Sequence, residues 1–427
     1  MRRIVGMVLL AGLWLSLFAQ IDKVQRDIQK RFGVPPPKLL FSIDHRISVG
    51  EWGLSTPKLF LISQDNNYFY ISLTPLFYDI SCYDRNGRLI SLFQPLSDEE
   101  RYKETLSKDQ SEFQESWFTF VRLFDDNKIV FLIHQYKRTG KKSEGNEYDG
   151  FLYEEKDSYK FLVFTPYGKI DEKSTTKLNH MIEKLNNDIQ SNKKLEEFLG
   201  RLIGKPNAMI INNKNDSIDF IANNGNILRI THDGNYTIIS APSIVEEHLG
   251  FMTIDPQGNI RLMSIHDKEE KREEITIKTL KRDKGYKDID EIKIKIDETI
   301  TRHIGKKASP RQFTVDARGH IFLIFSIDES QQKNEWQVAY YPNEEHIVAK
   351  YPGYIIYEFD PTGKPIGPRA LLQTIYDLVA KIALDDELLL IDPPTRFTLD
   401  NQGNLYYLHF RPDSTQVWMV PSSRTAK

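Results

Sequence analysis

The sequence predicts an all-β protein folded as a six-bladed β-propeller, and two observations support this fold class. Three segments repeat nearly the same hairpin sequence, and a further segment, Ala208–Ser240, reads as four short strands separated by tight turns. Four antiparallel strands in about 33 residues match the size of one propeller blade. Repetition of such units predicts one ring of blades rather than several unrelated domains.

The repeated hairpin consists of a short apolar strand, an Asp-x-x-Gly turn and a second strand rich in β-branched and aromatic residues. Its three copies are Phe251–Ile260, Gln312–Ile321 and Arg396–Leu405. The turn aspartates Asp255, Asp316 and Asp400 can accept hydrogen bonds from backbone amides two residues further on. The glycine suits the positive φ of a type I turn followed by a bulge.

A second class of hairpin has a basic residue after the turn glycine, at Asp84–Arg88 and Asp360–Lys364. Charged strands after these turns suit a solvent-facing edge. Pairing the two classes predicts six blades, near Lys58–Phe93, Trp117–Ile170, Asn207–Ser240, Gly250–Ile300, Gln312–Ile366 and Arg396–Val420. The last segment is too short for four strands, so we expect the N-terminal strand Lys38–Ile43 to close the last blade.

These hairpins resemble those of the six-bladed β-propellers of the NHL-repeat and TolB-like group. The residues that carry the resemblance are Asp255, Asp316 and Asp400 in the first class of hairpin, and Asp84 and Asp360 in the second. The resemblance covers Lys38–Val420. The first three blades depart from the pattern, as at Asp65–Tyr68, where the turn lacks its glycine. Seven blades, with the extra one inside an insertion, are the alternative.

Helical insertions are predicted at 171–204 and 369–385. The first contains Leu178, Met181, Leu185 and Ile189 at helical spacing, which indicates one or two amphipathic helices. The stretch from Ala370 to Leu384 also reads as helical. We expect residues 38–427 to form a single β-propeller domain that carries these insertions.

The N-terminus has the three parts of an export signal: a basic start, an apolar run and a polar restart at Gln20. This pattern predicts that residues 1–19 form a signal peptide. An uncleaved membrane anchor is the alternative. Residues 20–37 predict a short helix and a proline linker. The chain is expected to be exported, to the periplasm, the cell surface or the medium, and to touch a membrane only through an uncleaved N-terminal segment.

Composition excludes several kinds of chemistry. The net charge of −3 gives no overall field for nucleic acid, and the single cysteine, Cys82, excludes an internal disulfide or a cysteine-cluster metal site. No zinc-protease histidine pair and no nucleophile or phosphate-loop motif is present. We therefore expect no metal and no cofactor. His134, His266 and His409 each end a second strand and are interpreted as structural, with a histidine-lined site as the alternative.

The predicted ligand site comprises Arg311, Gln312 and Arg396. Gln312 and Arg396 occupy equivalent positions at the start of inner strands, where side chains approach the central channel, and Arg311 lies beside Gln312. Arginine there could hold a carboxylate or phosphate with two hydrogen bonds.

The function predicted from these features is binding rather than catalysis. We expect a monomeric binding or scaffold module that uses its top-face loops and channel mouth to hold a protein, peptide or glycan, and no nucleic acid. The alternative is a hydrolase or lyase that acts on an extracellular polymer. A histidine with a carboxylate within hydrogen-bond distance would favour the enzyme, and an exposed aromatic patch would favour the binding module.

Overall fold

The computed structural model describes part of the chain. The described residues are 30, 33–44, 59–63, 65–72, 79–106, 110–124, 127–142, 151–189, 191–200, 209–212, 217–221, 226–240, 252–268, 271–287, 289–304, 310–326, 337–341, 346–377, 397–410 and 414–422. The predicted signal segment at 1–19 lies outside them, as does most of the predicted helix at 20–37. Among the described residues, those between 45 and 263 and between 277 and 291 form one compact unit, called the first unit, and the others form the second unit.

The protein is a six-bladed β-propeller, because its described strands form six antiparallel sheets that follow one another along the chain. The first strand, β1 (Lys38–Asp44), is the exception in chain order, since it belongs to the last sheet. Each sheet is one blade, and the blades are numbered here from the one that follows β1.

Three complete blades lie in the first unit. The first has β2 (Leu59–Ile62), β3 (Tyr68–Ser72), β4 (Ile80–Asp84) and β5 (Leu89–Phe93). The second follows helix α1 (Asp98–Arg101) and has β6 (Tyr102–Leu106), β7 (Gln110–Phe124), β8 (Lys128–Lys142) and β9 (Phe151–Phe164). The third follows α2 (Glu172–Asp188) and α3 (Lys193–Gly200) and has β10 (Met209–Asn212), β11 (Ser217–Ile221), β12 (Ile227–Ile230) and β13 (Tyr236–Ile239).

The fourth blade contributes residues to both units, and the fifth and sixth lie in the second. The fourth has β14 (Met252–Ile254), β15 (Ile260–Lys268), β16 (Lys271–Leu280), a 3₁₀ helix (Arg282–Lys284) and β17 (Ile289–Lys295), followed by α4 (Glu298–Ile304). The fifth has β18 (Pro310–Val315), β19 (Ile321–Ser326), β20 (Gln337–Tyr341), β21 (His346–Phe359) and β22 (Pro365–Asp377). The sixth has β23 (Phe397–Leu399), β24 (Leu405–Phe410) and β25 (Ser414–Val420).

The predicted closure of the last blade is confirmed. Strand β1 pairs antiparallel with β25, from Lys38 opposite Met419 to Asp44 opposite Ser414. The sheet order is β1-β25-β24-β23, so the N-terminal strand supplies the fourth strand that the C-terminal segment lacks. Pairing of the two chain ends covers a strand edge that would otherwise be open.

The Asp-x-x-Gly turns form as the sequence predicts. Asp316 Oδ1 accepts from the amides of Arg318 and His320, each at 2.9 Å, and Gly319 has φ +85°. The same pattern recurs at Asp84, Asp255, Asp360 and Asp400. Each aspartate thus orders its own turn, and a glycine supplies the left-handed conformation that other residues rarely adopt.

Helix α2 covers the outer edge of the second blade, in agreement with the predicted helical insertion. Asn179 bonds both backbone groups of Phe161, and Asn186 bonds both backbone groups of Tyr159, with distances from 2.7 to 3.0 Å. The Thr175 hydroxyl accepts from the Val163 amide at 3.1 Å. The helix therefore satisfies edge groups of β9 that a further strand would otherwise pair.

The centre of the second blade is buried on both faces. Val130 and Leu132 belong to an apolar cluster shared with α2, α3 and the third blade. Ile129, Phe131 and Ile133 belong to another cluster, shared with the first blade. This explains the uninterrupted apolar run in β8, since a strand covered on both faces needs no alternation.

Two boundaries differ from the sequence prediction. The second blade begins at Tyr102 rather than near Trp117, because β6 and the outer half of β7 extend it. The predicted helix from Ala370 is wrong as far as Asp377, where the chain forms β22 against β21, and residues 378–384 lie outside the described part. Ala370, Leu371 and Leu372 are all buried, and a short continuous apolar run cannot by itself distinguish a buried strand from a helix.

None of the helices in the described residues combines the length and the apolar character that a transmembrane helix needs.

Candidate functional site

Two of the three predicted ligand residues lie in the described part of the chain. Arg311 and Gln312 lie on β18, where Arg311 is exposed and Gln312 is partly buried. The Oε1 atom of Gln312 is buried and has no hydrogen-bond partner among the residues the structure describes. Arg396 lies outside those residues, so the grouping stays a prediction.

A different arginine, Arg122 on β7, is partly buried, and no ion pair from it is seen within the described chain. It lies opposite Val130, whose side chain is fully buried. Burial alone lowers the pKa of Arg122 to about 10. A guanidinium in such surroundings is costly unless something neutralises it.

Long strands distinguish the second blade from the compact third blade in the same unit. Strands β7 and β8 have 15 residues each and β9 has 14, whereas β10 to β13 have four or five. The extra length continues the sheet past its buried centre. Register alone then decides which side chains share a face, since directly opposed residues on antiparallel strands point to the same side.

One face of this extension carries aromatic side chains on all four strands. We call it the aromatic face, and its aromatic and basic members are Tyr102, Phe113, Trp117, His134, Tyr136, Arg138, Tyr153 and Tyr159. Its acidic members are Glu104, Glu115, Glu155 and Asp157. Three of the large rings are substantially exposed: Tyr102 by 53%, Tyr153 by 47% and Trp117 by 38%.

Where the aromatic face meets the core, His134 lies between two rings. Its imidazole stacks on Tyr159 with centroids 4.6 Å apart and an interplanar angle of 10°, and Trp117 meets its edge at 4.3 Å. Nε2 of His134 lies 2.7 Å from Oδ1 of Asp157. Burial between the rings lowers the pKa of His134 below its usual 6.5, and the Asp157 carboxylate offsets this only in part. The imidazole is therefore mostly neutral near pH 7.

Further out, Tyr136 is surrounded by carboxylates. Its cross-strand neighbours are Glu115 on β7 and Asp157 on β9, and Glu155 hydrogen-bonds to it. Burial and the Glu155 carboxylate raise the pKa of Tyr136. Like charges on neighbouring cross-strand positions repel each other.

The arginine of the aromatic face, Arg138, contacts two of its rings. The guanidinium carbon of Arg138 lies 4.4 Å from the centroid of Tyr153 and 5.9 Å from that of Phe113. Its Nε atom is buried without a hydrogen-bond partner in the described residues. The rings of this face therefore already bind one cation through cation–π contacts.

The opposite face of the same strands, called the charged face, has another character. Its members over the same stretch are Lys103, Thr105, Glu112, Gln114, Ser116, Gln135, Lys137, Thr139, Glu154, Lys156 and Ser158. Lys137 and Glu112 form an ion pair of 2.8 Å across β7 and β8. This face mixes both charge signs and carries no aromatic ring, which is the ordinary pattern of a solvated sheet surface.

Two other groups of charged residues are buried, and each contains acid–base contacts within the group. Asp219, on β11, accepts from Arg229 at 2.8 and 3.0 Å, from Arg282 at 2.7 Å and from the Tyr286 hydroxyl at 2.7 Å. We call these four residues the Asp219 cluster. Burial would raise the pKa of Asp219, but the bonds from Arg229 and Arg282 outweigh it and hold the pKa below its usual 3.8.

The second buried group lies in the second unit. Nδ1 of His320 is 2.7 Å from Glu358 Oε1, and Arg369 Nε is 3.3 Å from Glu358 Oε2. All three side chains are at most 5% exposed, so this histidine–carboxylate pair is closed to a ligand. Across the described part of the chain, no group of three or more His, Cys, Asp or Glu side chains is arranged to hold a metal ion.

Sequence reasoning singled out His134 but not the rest of the aromatic face. The other strand-end histidines, His266 and His409, have side chains outside the described set. A usable signal was present, because aromatic and acidic residues alternate with polar ones in Phe113–Trp117, His134–Arg138 and Tyr153–Tyr159. The sequence prediction does not use this signal, because it places the start of the second blade near Trp117. Strand β6 and the first residues of β7 then fall outside the predicted blade.

Comparison with known proteins adds only weak likenesses to propeller structures. No family model matches, and no curated protein matches. Among solved structures, the β-propeller domain of Cps50 (Swd1) from Myceliophteria thermophila is 8% identical with a TM-score of 0.36, covering 90% of this chain and 99% of that one. YCF48 bound to D1 peptide is 8% identical with a TM-score of 0.32, covering 91% and 97%. The WD40 domain of SCAP from fission yeast is 6% identical with a TM-score of 0.30, covering 90% and 97%.

Proposed function

We propose that this protein is an exported binding module that holds a protein partner on the aromatic face of its second blade. The observation that carries the proposal is the contrast between the two faces of one sheet. The strands are the same, yet one face exposes Tyr102, Trp117 and Tyr153 while the other exposes only polar and charged groups. Exposed aromatic patches of this kind mark interaction sites more often than they mark solvated surface.

The composition of the aromatic face fits a protein interface. Trp, Tyr and Arg dominate the residues whose truncation weakens protein complexes most, and all three types occur here. Their order is partly fixed before binding, because Phe113 contacts Tyr102 at 5.5 Å and Tyr136 at 6.1 Å between centroids. Side chains that are already ordered lose less conformational entropy when a partner binds.

Export and family membership belong to the same proposal. The basic and apolar N-terminal segment supports export to the periplasm, cell surface or medium. The Asp-x-x-Gly hairpins support placement in the NHL-repeat and TolB-like group. The top-face loops and channel mouth remain a proposed further contact region, with Arg311, Gln312 and Arg396 as its residues.

Affinity capture with two matched variants tests the proposal. The first variant, Tyr102→Ser/Tyr153→Ser, removes two exposed rings from the aromatic face. The control, Lys137→Ser/Glu154→Ser, removes two exposed side chains from the charged face. Neither variant changes the net charge of the protein. We expect a protein captured from the native envelope or medium by the wild type to be retained by the second variant and lost by the first. Equal retention by both variants would show that the aromatic face is not the binding surface. Loss of the captured species to glycosidase but not to protease would make the ligand a glycan.

A second candidate function rests on the pair His134 and Asp157. Their 2.7 Å contact at a partly exposed position has the geometry of a base and its orienting carboxylate, which the polymer hydrolase or lyase alternative requires. The rings of Trp117 and Tyr159 cover much of the imidazole, and Nε2 already faces Asp157, so only Nδ1 is left for a substrate proton. Assay of extracellular polysaccharides with wild type and His134→Gln decides this candidate: polymer cleavage lost in the variant supports it, and no cleavage by the wild type removes it.

A further inference from the structure

Strand β6 forms one edge of the second blade, and the described part of the chain places no further strand beside it. The sheet order is β6-β7-β8-β9, so β6 pairs with β7 alone. The β6 side chains whose burial is described, from Tyr102 to Thr105, are all exposed. At the opposite edge, by contrast, α2 bonds the backbone of β9 at Tyr159 and Phe161. The two edges of this blade therefore differ in how they are covered.

The backbone of β6 has hydrogen-bonding groups that face away from β7. The Tyr102 N–H donates to the Asp98 carbonyl of α1 rather than to β7, although Tyr102 lies opposite Glu115. In an antiparallel pair, residues whose backbone groups face the partner strand alternate with residues whose groups face away. The N–H and C=O of Glu104, two residues after Tyr102, therefore face the open side of β6. Groups in this position can pair with an added strand.

Neither proline nor a bulge blocks this edge. Soluble proteins protect edge strands with proline, with bulges, with lysine or by keeping them very short. Strand β6 has five residues, contains no proline and pairs with β7 without a register shift. Its one lysine, Lys103, lies on the charged face. The edge beside the aromatic face is therefore able to accept a further strand.

We propose that the partner protein adds an extended segment to β6 as a fifth strand of this sheet, with apolar side chains over the aromatic face and polar side chains over the charged face. This inference rests on the proposed function and states how the partner is held. It follows from the juxtaposition of an open strand edge with two sheet faces of opposite character. Successive side chains of a strand point to opposite faces, so the segment that fits this edge alternates apolar and polar residues. Its backbone supplies affinity, and its side chains supply specificity.

The aromatic face presents an apolar contact at this edge. The exposed ring of Tyr102 on β6 meets Phe113 on β7 edge-on, with 5.5 Å between centroids. The Tyr102 hydroxyl donates to the Glu104 carboxylate at 2.6 Å, which helps to hold the ring in place. Directly opposed side chains on neighbouring strands lie about 4.5–5.5 Å apart between Cβ atoms. An apolar residue of the added strand opposite Tyr102 would therefore cover this ring.

Two eight-residue peptides of identical composition provide the first test, with binding to the full chain measured by calorimetry. One peptide alternates valine with threonine, and the other has four valines followed by four threonines. We expect the alternating peptide to bind roughly tenfold more tightly, since only this peptide can place every valine on one face of a strand. Equal binding of the two peptides, or no binding of the alternating one, would overturn the inference.

Two variants at one position test the backbone contact. Glu104→Pro and Glu104→Ala both remove the carboxylate, but only proline also removes the N–H that faces the open side of β6. Proline is tolerated in an edge strand where the N–H faces solvent. We expect Glu104→Pro to bind the alternating peptide roughly tenfold more weakly than Glu104→Ala does, because a backbone hydrogen bond is lost and the ring obstructs the added strand. Similar affinities of the two variants would contradict the proposed strand pairing.

Hydrogen exchange on the unmodified chain gives a readout that does not depend on the folding of any variant. The alternating peptide should slow exchange of the Glu104 amide by roughly tenfold, whereas the Tyr102 amide, which already bonds to Asp98, should change less. Peptide binding that leaves the Glu104 amide unprotected would overturn the inference. Protection of the same amide in a peptide-free dimer would make a second copy of this chain the occupant, and would also overturn it.

The two proposals fail in distinguishable ways. If the natural partner is lost by Tyr102→Ser/Tyr153→Ser but binds Glu104→Pro and Glu104→Ala equally, the partner uses the aromatic face without pairing with β6, and only the present inference fails. If the natural partner is kept by Tyr102→Ser/Tyr153→Ser, the binding surface itself is wrong.

Discussion

The Asp219 cluster and the aromatic face lie in the same unit and use the same residue types, yet their charges are arranged in opposite ways. In the Asp219 cluster one fully buried carboxylate receives two arginines and a tyrosine hydroxyl at 2.7 to 3.0 Å. On the aromatic face three carboxylates gather around Tyr136, and Arg138 lies over other rings. The first arrangement surrounds a buried carboxylate, and the second leaves rings and carboxylates exposed.

This difference separates a structural role from a binding role. A buried carboxylate with every oxygen bonded holds strands and loops in register and has nothing left to offer a ligand. An exposed group of acids and rings is open to solvent and so can be reached by a partner. Exposure, rather than residue type, is therefore what distinguishes the two.

The largest expected effect is on stability, in the Asp219 cluster. Asp219→Ala leaves Arg229 and Arg282 facing each other without a counter-charge, and breaking a buried ion pair from one side costs about 3–5 kcal/mol. The free energy of unfolding, measured by urea titration, should fall by that amount. Asp157→Ala on the aromatic face is the matched control and should change it by less than about 1 kcal/mol. Equal losses in the two variants would contradict the distinction.

The sequence predicts the blades and their closure, but it does not predict the aromatic face. An Asp-x-x-Gly turn is a local signal, so the turns at Asp255, Asp316 and Asp400 and the unpaired strand at Lys38–Ile43 predict the six blades and their closure. The aromatic face depends on register between distant strands. Glu115, Tyr136 and Asp157 become neighbours only because β7, β8 and β9 pair as they do, and propensity does not set that pairing.

The second prediction concerns Arg122. Unlike Arg229 and Arg282, it forms no ion pair with a carboxylate in the described chain. Arg122→Met keeps the apolar stem and removes the charge that burial disfavours, as the lowered pKa of about 10 shows. We expect the free energy of unfolding to rise by about 1 kcal/mol. Arg229→Met, which removes a paired arginine, is the control and should lower it. A loss of stability in Arg122→Met would mean that the guanidinium is neutralised within the fold.

The third prediction is a pH dependence that arises at the inner end of the aromatic face. The pKa of His134 is lower in the folded chain than the usual 6.5, so the unfolded chain binds the proton more readily. The free energy of unfolding should therefore fall as pH drops below 6.5 and level off once the folded histidine is also protonated. The stabilisation that arises from the lowered pKa of His134 is fully present above pH 6.5. His134→Gln should flatten the curve of urea midpoint against pH over this range, and an unchanged curve would contradict the assignment.

The smallest expected effect concerns Glu115 on the aromatic face. Glu115 is exposed and lies opposite Tyr136 on β8, and Asp157 on β9 lies opposite the same tyrosine. Neutralising Glu115 therefore removes repulsion between the two carboxylates. It breaks no hydrogen bond that is seen in the described residues. Glu115→Gln should raise the free energy of unfolding by a few tenths of a kcal/mol at low ionic strength, since like charges at close cross-strand positions destabilise by about 0.2–1 kcal/mol. The gain should disappear in high salt. Glu112→Gln breaks the ion pair with Lys137 on the charged face and should have the opposite sign, so a gain in both variants would mean that overall charge, not the aromatic face, sets the effect.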